Sequence, residues 1–290
     1  MVIGRFAPSP TGPLHFGSLV AAVASYCDAK SQGGQWLLRI EDVDTTRRVE
    51  GASDDIIRTL HRYGFEWAGE IVYQSQRSEY YEQALTRLRN LGLAYPCTCS
   101  RKEIADSSTQ QGIEGAIYPG ICLQHPIKPN TSIAWRLKTP AEKISFEDRI
   151  VGRQQHNIGQ DIGDFVIKRA DSLFSYQLAV VVDDAMQGIT HVVRGADLLQ
   201  STTRQIYLQQ CLGYAPLLYA HIPLVLNNQG QKLSKQTLAA SIADMSPAET
   251  IYQALCFLQQ SPPDTIKKAT LNTVWHWAIS NWKINRLARV

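Results

Sequence analysis

The fold is decided by residues 2–30, VIGRFAPSPTGPLHFGSLVAAVASYCDAK. The apolar run of residues 2–7 is typical of a short buried strand, and a Pro/Gly-rich loop follows over residues 8–13. Apolar residues then recur at helical spacing over residues 17–30. A strand followed by a loop and a helix begins the kind of unit that connects two parallel strands.

The same alternation continues along the chain. Further strands are predicted over residues 36–40, 71–73, 189–194 and 217–225, and further helices over residues 52–63, 79–91 and 198–212. Ser53 is the expected N-cap of the second helix. We therefore expect an α/β fold with a Rossmann-like parallel sheet and crossover helices, in which ligands bind at the carboxyl ends of the strands.

One segment interrupts this alternation. Residues 96–145 contain three clustered cysteines, a polar stretch and a Pro-rich passage, and they are predicted to form an inserted subdomain. The two halves of the main domain are expected at residues 1–95 and 146–230. Residues 231–290 hold a lysine-containing loop and a short helical C-terminal segment, with helices predicted over residues 247–258 and 269–282.

The net charge is small and unevenly distributed. The sequence has 29 Lys+Arg against 26 Asp+Glu, a net charge of +3, which does not by itself indicate a nucleic-acid-binding protein. Residues 261–290 hold five basic residues and one acidic residue, so this tail carries +4 and residues 1–260 carry −1. Its interleaved tryptophans fit either a surface that meets RNA or a helix that packs tryptophans inward and lysines outward. We favour the packing interpretation.

Composition narrows the class of protein. With 44% hydrophobic and 19% charged residues, the chain can bury a large core, and disordered, collagen-like and coiled-coil proteins are excluded. It has no apolar run of the roughly 20 residues that a spanning helix needs. Its first residues lack the basic and apolar regions of a signal peptide, so a cytoplasmic location is expected. Cys27, Cys211 and Cys256 lie in apolar or helical stretches and are predicted to be buried free thiols.

Two loops carry residues that could bind a nucleotide and its phosphates. His15-Phe16-Gly17-Ser18 lies just before the first helix, where glycine lets the backbone approach a base or a phosphate and the helix N-terminus favours anions. The second loop, Gln231-Lys232-Leu233-Ser234-Lys235, could close over a polyphosphate and neutralise charge on departing pyrophosphate. Each loop alone also fits an ordinary turn or a solvated surface. Together they resemble the HIGH and KMSKS signatures of class I aminoacyl-tRNA synthetases, with departures at Ser18 and Gln236.

Four further blocks resemble the glutamyl branch of that family. They follow one another in the expected order over about the first 240 residues: residues 5–12 (RFAPSPTG), 38–44 (LRIEDVD), 193–197 (VRGAD) and 221–224 (HIPL). The Arg-Ile-Glu-Asp form of the second block is similar to glutamyl enzymes, whereas glutaminyl enzymes have an Arg-Phe-Asp-Asp form. The resemblance therefore implies glutamate and ATP, with Mg²⁺, as substrates.

The resemblance also implies roles for particular residues. The implied glutamate pocket consists of Arg5, Phe6, Ala7, Pro8, Ser9, Glu41, Tyr176 and Arg194. The implied catalytic residues are His15, Gly17, Lys232, Ser234 and Lys235, of which His15, Gly17 and Lys235 contact ATP. The chemistry agrees, because guanidinium groups bind the carboxylates of glutamate as bidentate forks and a carboxylate such as Glu41 attracts its ammonium group. Without these motifs, each residue would be read as a member of an ordinary ion pair.

The clustered cysteines predict a structural zinc site. Cys97, Cys99 and Cys122 supply thiolates, which select zinc, and a small inserted module needs such a cross-link. From the residues alone, His125 is an attractive fourth ligand. The family resemblance points instead to Tyr118, which we follow, with His125 or a water as the alternative. Three reduced buried cysteines without metal are the competing interpretation.

The number of residues after the second loop bears on which molecule receives the activated glutamate. Only 55 residues follow Lys235, whereas a standard glutamyl-tRNA synthetase continues there into a large helical part that reads the anticodon, so no anticodon-binding domain is expected. This architecture resembles truncated members of the branch that attach glutamate to queuosine in the anticodon loop of tRNA(Asp). The implied partners are glutamate, ATP and tRNA(Asp) bearing queuosine, with no membrane, and a monomer is expected.

Three alternatives stay open at this point. A truncated glutamyl-tRNA synthetase would charge the terminal adenosine of tRNA(Glu). A small-molecule nucleotidyltransferase of the same superfamily would share both ATP loops but would not need Arg5, Glu41 and Arg194. A non-enzymatic tRNA-binding paralogue would be expected to lose His15 or Lys235, and both are present.

Overall fold

The computed structural model describes residues 1–113, 115–125, 127–226 and 241–289. Its strands are β1 (Ile3–Phe6), β2 (Gln35–Ile40), β3 (Val72–Tyr73), β4 (Ala94–Cys97), β5 (Gln111–Gly112), β6 (Gly115–Ala116), β7 (Ala134–Leu137), β8 (Lys143–Asp148), β9 (Gly152–Asn157), β10 (Phe165–Lys168), β11 (His191–Gly195) and β12 (Leu218–Ile222). Its helices are α1 (Phe16–Lys30), α2 (Ala52–Arg62), α3 (Ser78–Asn90), α4 (Arg101–Ser107), α5 (Ile121–Gln124), α6 (Tyr176–Met186), α7 (Leu199–Leu212), α8 (Pro247–Phe257) and α9 (Leu271–Asn281).

Parallel strands form the centre of the molecule. β1 pairs in parallel with β2, β2 with β3, and β11 with β12. Thr190, directly before β11, donates its backbone N–H to the Ile3 carbonyl at 2.9 Å, so β11 lies beside β1. The strands alternate with helices along the chain, which confirms the predicted α/β fold with a parallel sheet. The carboxyl ends of β1, β2 and β11 consequently meet at one edge.

Most predicted elements have the predicted type, and their boundaries differ by a few residues. The second helix begins at Ala52 as expected, but the predicted N-cap Ser53 is wrong. Gly51 occupies the cap position with φ of 74°, and no side chain caps the helix. Such a positive φ suits glycine, which has no Cβ to clash with the backbone. The turn before this helix is therefore set by Gly51 and not by a side-chain hydrogen bond.

The main core lies between α1, the first strands and the C-terminal helices. Leu19, Val23 and Trp36 are fully buried there. From α9, Trp275 is only 6% exposed, packs against Tyr26 in a tilted and against Phe65 in an edge-to-face arrangement at ring distances of 4.9 and 5.0 Å, and donates its indole N–H to the Tyr63 carbonyl at 2.8 Å. The C-terminal segment therefore completes the core of the main domain.

A second, antiparallel sheet contains part of the predicted insertion. β7 pairs with both β4 and β10, and the pairing with β10 carries this sheet past residue 145. The β8–β9 hairpin joins the edge of β12. Of the three cysteines predicted to be buried, Cys27 is buried and Cys211 is partly buried, but the prediction is wrong for Cys256, which is exposed on α8. No helix in the described ranges combines the length and apolar character needed to cross a membrane.

Candidate functional site

Three chain segments meet at the carboxyl ends of the parallel strands. The loop after β1 lies against the loop after β2, because the backbone N–H of Glu41 donates to the Pro8 carbonyl at 2.9 Å. His15 caps α1, its Nδ1 accepting from the Ser18 backbone N–H at 3.3 Å. Ser241 forms a bridge with His15, so the chain that follows residue 240 returns to the first loop. The structure thus brings His15 and Gly17 to the edge where ligands of such sheets bind.

Two buried guanidinium groups lie on the neighbouring strands β1 and β11. Arg5 is 4% exposed and Arg194 is 5% exposed. Arg5 Nε donates to Asp184 Oδ1 at 3.3 Å. Tyr176, the first residue of α6, is close enough for both guanidinium charges and the Glu41 carboxylate to act on its hydroxyl. The predicted residues Arg5, Glu41, Tyr176 and Arg194 therefore share one site.

A third guanidinium, Arg39, connects the acidic residues of this site. It is fully buried on β2 and donates from Nη2 to Asp184 Oδ1 at 2.8 Å and to Glu41 Oε1 at 3.3 Å. Its Nη1 donates to Gln187 Oε1 at 2.7 Å. Asp184 is therefore shared by Arg5 and Arg39, and the Glu41 carboxylate is held by Arg39. A lysine could not make these contacts in three directions.

The surrounding charges and burial shift the pKa values of Asp184 and Glu41 in opposite directions. Burial raises the pKa of Asp184, but the charges of Arg5 and Arg39 outweigh it, and the pKa falls below its usual value. For Glu41, burial dominates over the opposing charges of Arg39 and Arg5, and its pKa is raised. Burial, together with the Glu41 charge, raises the pKa of Tyr176 to about 12, so this tyrosine is a neutral hydroxyl. Asp184 is therefore a fixed counter-charge, whereas Glu41 is a carboxylate that a cation would stabilise.

Arg194 is held from one side. Its Nε donates to His221 Nε2 at 3.0 Å, and its Nη2 donates to Thr202 Oγ1 at 2.8 Å. Its Nη1 is buried and has no hydrogen-bond partner among the described residues. An unpaired buried donor of this kind is costly unless a ligand completes it. The free Nη1 is therefore suited to receive an anionic oxygen.

The other predicted site residues lie in the core, in the first loop or outside the described residues. Phe6 packs in the core, 8% exposed, with its ring 6.2 Å from Trp36, so its contact with glutamate stays a prediction. Ala7 and Pro8 are partly buried in the first loop and Ser9 is exposed there. Lys232, Ser234 and Lys235 lie outside the described residues, as do all of residues 227–240.

Sequence reasoning missed several members of the site. Arg39 and His221 stand inside sequence blocks that were recognised, but no role was assigned to them. Asp184 lies in an apolar helix, and its pairing with Arg5 spans 179 residues. Nothing in the local sequence around Asp148, which binds His221, marks it as part of a site. The one signal that could have indicated Asp184 is the pair of adjacent aspartates, Asp183 and Asp184, after a run of apolar residues in α6.

The cysteine cluster has the geometry of a ligand set. The sulfur atoms of Cys97, Cys99 and Cys122 lie within 4.8 Å of one another, and Cys99 Sγ is 3.5 Å from Cys122 Sγ. The Tyr118 hydroxyl is 3.5 Å from Cys97 Sγ and 3.4 Å from Cys99 Sγ. Zinc bonds of ~2.3 Å to sulfur and ~2.0 Å to oxygen place tetrahedral ligands roughly 3.5 to 3.8 Å apart, so the four groups fit a zinc ion.

The surroundings of this cluster act differently on its members: burial raises the pKa of the Cys99 thiol to about 11 and raises the pKa of the Tyr118 hydroxyl above its usual value, whereas the pKa of Cys122 is lowered. Burial would raise the pKa of the Cys122 thiol, but hydrogen bonds from Tyr118 and from the Thr98 backbone lower it to about 7. Arg136, on β7, donates from Nε to Cys97 Sγ at 3.3 Å, and its guanidinium lies 4.0 Å from the centre of the Tyr118 ring. His125 is exposed and does not belong to the group formed by the three cysteines.

Comparisons with known proteins agree on the family. The model of the catalytic domain of class I tRNA synthetases (E and Q) matches residues 1–259. A relative from Dechloromonas aromatica (strain RCB), named glutamyl-Q tRNA(Asp) synthetase, is 55% identical over 287 residues, which cover 99% of this chain and 95% of the relative. A relative of the same name from Neisseria meningitidis serogroup C (strain 053442) is 49% identical over 294 residues, 100% of this chain and 98% of the relative.

A solved structure is similar over the whole chain. It is a glutamate tRNA ligase from Elizabethkingia meningosepticum CCUG26117 in complex with its amino acid, with a TM-score of 0.81 and 25% sequence identity. The match covers 100% of this chain and 66% of that ligase, so the chain spans just under two thirds of the ligase's length.

Proposed function

The chain belongs to the class I tRNA synthetases of the glutamate and glutamine branch, and we propose that it activates glutamate with ATP and attaches it to queuosine of tRNA(Asp). The name glutamyl-Q tRNA(Asp) synthetase, shared by relatives that match almost the whole chain, supports this acceptor. The observation that carries glutamate as the amino acid is the convergence of Arg5 and Arg194, with Arg194 Nη1 buried and unpaired.

Glutamate complements the charges of this site. Its two carboxylates match two guanidinium groups, which bind carboxylates in bidentate geometry. Its ammonium group matches Glu41, whose buried carboxylate lacks a second cation beyond Arg39 within hydrogen-bond distance among the described residues. The neutral Tyr176 hydroxyl adds one donor to the same pocket. We assign the pocket to Arg5, Ala7, Ser9, Glu41, Tyr176 and Arg194, with Phe6 and Pro8 shaping the strand and loop behind it.

The phosphates of ATP are assigned to the first loop. His15 and Gly17 stand at the N-terminus of α1, where unpaired backbone N–H groups and the helix dipole favour anions. The roles of Lys232, Ser234 and Lys235 in neutralising pyrophosphate rest on the sequence. The return of the chain to His15 at Ser241, six residues after Lys235, supports that assignment.

The reaction has two steps. In the first, an oxygen of the glutamate α-carboxylate forms a bond to the α-phosphorus of ATP, and the bond to pyrophosphate breaks. Mg²⁺ carried by ATP neutralises part of the phosphate charge. In the second step, a hydroxyl of the queuosine cyclopentene diol attacks the acyl carbonyl and AMP leaves, its phosphate accepting the hydroxyl proton. The diol resembles the cis-diol of a terminal ribose, so the same site can serve either nucleophile.

We further propose that Cys97, Cys99, Tyr118 and Cys122 hold one structural zinc ion. The spacing of these four groups and the positive charge of Arg136 beside them support this assignment. When bound, zinc would cross-link β4 to the segment around α5 in a module with few other buried residues. The enzyme is proposed to act as a monomer, because one chain supplies Arg5, Glu41 and Arg194.

A transfer assay tests the acceptor. The protein is incubated with ATP and labelled glutamate, and label is measured on tRNA(Asp) with queuosine, on tRNA(Asp) without queuosine and on tRNA(Glu). We expect label on queuosine-containing tRNA(Asp) alone, and removal by mild base as expected for an ester. Label on tRNA(Glu) would instead identify a truncated glutamyl-tRNA synthetase. Glutamate-independent transfer of AMP to a small molecule would indicate a nucleotidyltransferase.

A further inference from the structure

Three buried side chains, Asp148, His221 and Arg194, are joined by hydrogen bonds into a relay that ends at the proposed pocket. Asp148, the last residue of β8, is 2% exposed, and His221 on β12 is 1% exposed. Asp148 Oδ2 is 2.6 Å from His221 Nδ1, and His221 Nε2 is 3.0 Å from Arg194 Nε. The three side chains come from β8, β12 and β11, which lie next to one another in the sheet.

The donor-only chemistry of arginine determines where the protons lie in this relay. A guanidinium nitrogen only donates, so His221 Nε2 must accept the Arg194 Nε–H. The histidine proton then stands on Nδ1 and is donated to Asp148. Burial lowers the pKa of His221 and the Arg194 charge lowers it further, against the hydrogen bond to Asp148, so the neutral ring is favoured. Asp148 thereby selects the tautomer that can receive Arg194.

Asp148 is itself held firmly. Its Oδ1 accepts from the backbone N–H groups of Ile150, Val151 and His221 at 3.0, 2.9 and 3.2 Å. Burial would raise the pKa of Asp148, but the hydrogen bond from the His221 side chain and those from the Val151 and Ile150 backbone N–H groups hold it below its usual value, so the carboxylate is ionised. The relay therefore begins at a point fixed to the backbone and ends at the guanidinium.

We propose that Asp148 and His221 are positioning residues, which orient the Arg194 guanidinium so that Nη1 stays free for a substrate carboxylate. This role rests on the proposed function, in which Arg194 binds glutamate. Thr202 completes the support by accepting from Arg194 Nη2. His221 on β12 holds Arg194 Nε, and Thr202 on α7 holds Nη2, so the guanidinium is fixed in one orientation. The side chain is therefore already ordered before the substrate carboxylate binds, and its side-chain entropy is not lost on binding.

The variant Asp148→Asn tests the tautomer directly. The asparagine Oδ1 can still accept from the backbone N–H groups, but its NH₂ group would face His221 Nδ1 and force the ring proton onto Nε2. That proton would oppose the Arg194 Nε–H and turn the guanidinium away. In glutamate-dependent ATP–pyrophosphate exchange, we expect KM for glutamate to rise roughly 10- to 100-fold, with KM for ATP within about twofold of the parent.

His221→Gln is the conservative partner variant. A glutamine oxygen can accept from Arg194 Nε near the position of Nε2, so its KM for glutamate should lie between those of Asp148→Asn and the parent. The matched control is His156→Gln, because His156 Nδ1 bonds a threonine hydroxyl of α7, Thr203, at 2.9 Å, whereas the side-chain hydrogen bonds of Arg194 go to His221, Leu198 and Thr202. This control should leave both KM values unchanged. Circular dichroism and thermal unfolding confirm that each variant is folded.

The outcomes separate the two proposals. A parent protein without glutamate-dependent exchange would overturn the proposed function and, with it, this role. If the parent is active and folded Asp148→Asn keeps the parental KM for glutamate, the relay alone is overturned. Equal increases in KM for glutamate and for ATP would also overturn it, because a purely structural Asp148–His221 pair would not act on one substrate. The tautomer itself is read from the ¹⁵N shifts of His221, and a proton on Nε2 in the parent would contradict the relay.

Discussion

Arg39 illustrates how single residues of this site depend on partners far away in the sequence. Its guanidinium is fully buried and reaches Glu41, Asp184 and Gln187, which lie 2, 145 and 148 residues away. A buried cation is tolerated when acceptors and opposite charges surround it; both Nη atoms of Arg39 are hydrogen-bonded, and its buried Nε has an ion-pair contact of 4.0 Å with Asp183 Oδ2. Because Arg39 shares Asp184 with Arg5, the positions of Arg5 and Glu41 are coupled through one carboxylate.

The raised pKa of Glu41 leads to a prediction about pH. Burial makes this carboxyl take up a proton at a higher pH than an ordinary glutamate does. If Glu41 receives the substrate ammonium, protonation removes its charge, so KM for glutamate should rise as pH falls through the raised pKa. Below that pKa the rise is expected to be about tenfold per pH unit. Pyrophosphate exchange measured across pH gives this profile.

Glu41→Gln provides the comparison. Its KM for glutamate should be high at every pH, and the acid branch of the profile should disappear, whereas KM for ATP should follow the parental profile. An acid branch of unchanged position and steepness in this variant would assign the titration to another group.

At residue scale, the sequence motifs predicted that Arg5, Glu41 and Arg194 lie together, but they did not predict the side chains that support them. Arg5, Glu41 and Arg194 stand at strand ends within recognisable blocks, so their meeting followed from the rule that parallel strands end at one edge. Asp184 and Asp148 could not be predicted in this way, because their partners are chosen by the lateral order of strands and the facing of helices. That order is a tertiary property and leaves no local spacing in the chain.

At the scale of elements, periodicity was a good guide where a helix or strand has one buried face or is buried throughout. α1 and β2 were predicted to within one residue, since apolar positions recur up to their ends. Caps were less predictable, because serine and glycine both occur at helix N-caps, and the sequence does not show that Gly51, with its positive φ, takes this position while Ser53 lies inside the helix. The pairing of β7 with β10 was also missed, because short strands in the insertion carry little periodicity.

The cysteine-bearing element leads to a prediction about metal content. The purified protein should hold about one zinc per chain, and Cys97→Ser should lose most of it, measured by inductively coupled plasma mass spectrometry. Tyr118→Phe should bind zinc more weakly in chelator competition, because it removes the phenolic oxygen and leaves the three sulfur atoms.

The matched control uses a cysteine outside the cluster. Cys256→Ser alters an exposed thiol of α8 and should retain the parental zinc content. Retention of full zinc in Cys97→Ser would refute the site. Unchanged chelator resistance in Tyr118→Phe would return the fourth position to His125 or a water.

At the scale of the whole molecule, the basic C-terminal segment proves to be part of the core. α9 packs Trp275 against both Tyr26 and Phe65, while Lys267 and Lys268 are exposed at the turn before it. This arrangement accounts for the interleaved tryptophans and lysines without RNA, as the packing interpretation supposes. The parallel sheet, and with it the edge that holds Arg5 and Arg194, is thereby supported from the C-terminal side.

The last prediction follows from this packing. Trp275→Ala removes a large buried ring and leaves the Tyr63 carbonyl without its indole donor, so the free energy of unfolding should fall by about 3 to 5 kcal/mol. Urea titration followed by circular dichroism measures this change. The double variant Lys267→Gln/Lys268→Gln is the control, because exposed substitutions usually stay within about 0.5 kcal/mol. A Trp275→Ala protein as stable as the control would show that the segment is not part of the core. Weaker tRNA binding by the control variant at low salt would instead assign the two lysines to RNA.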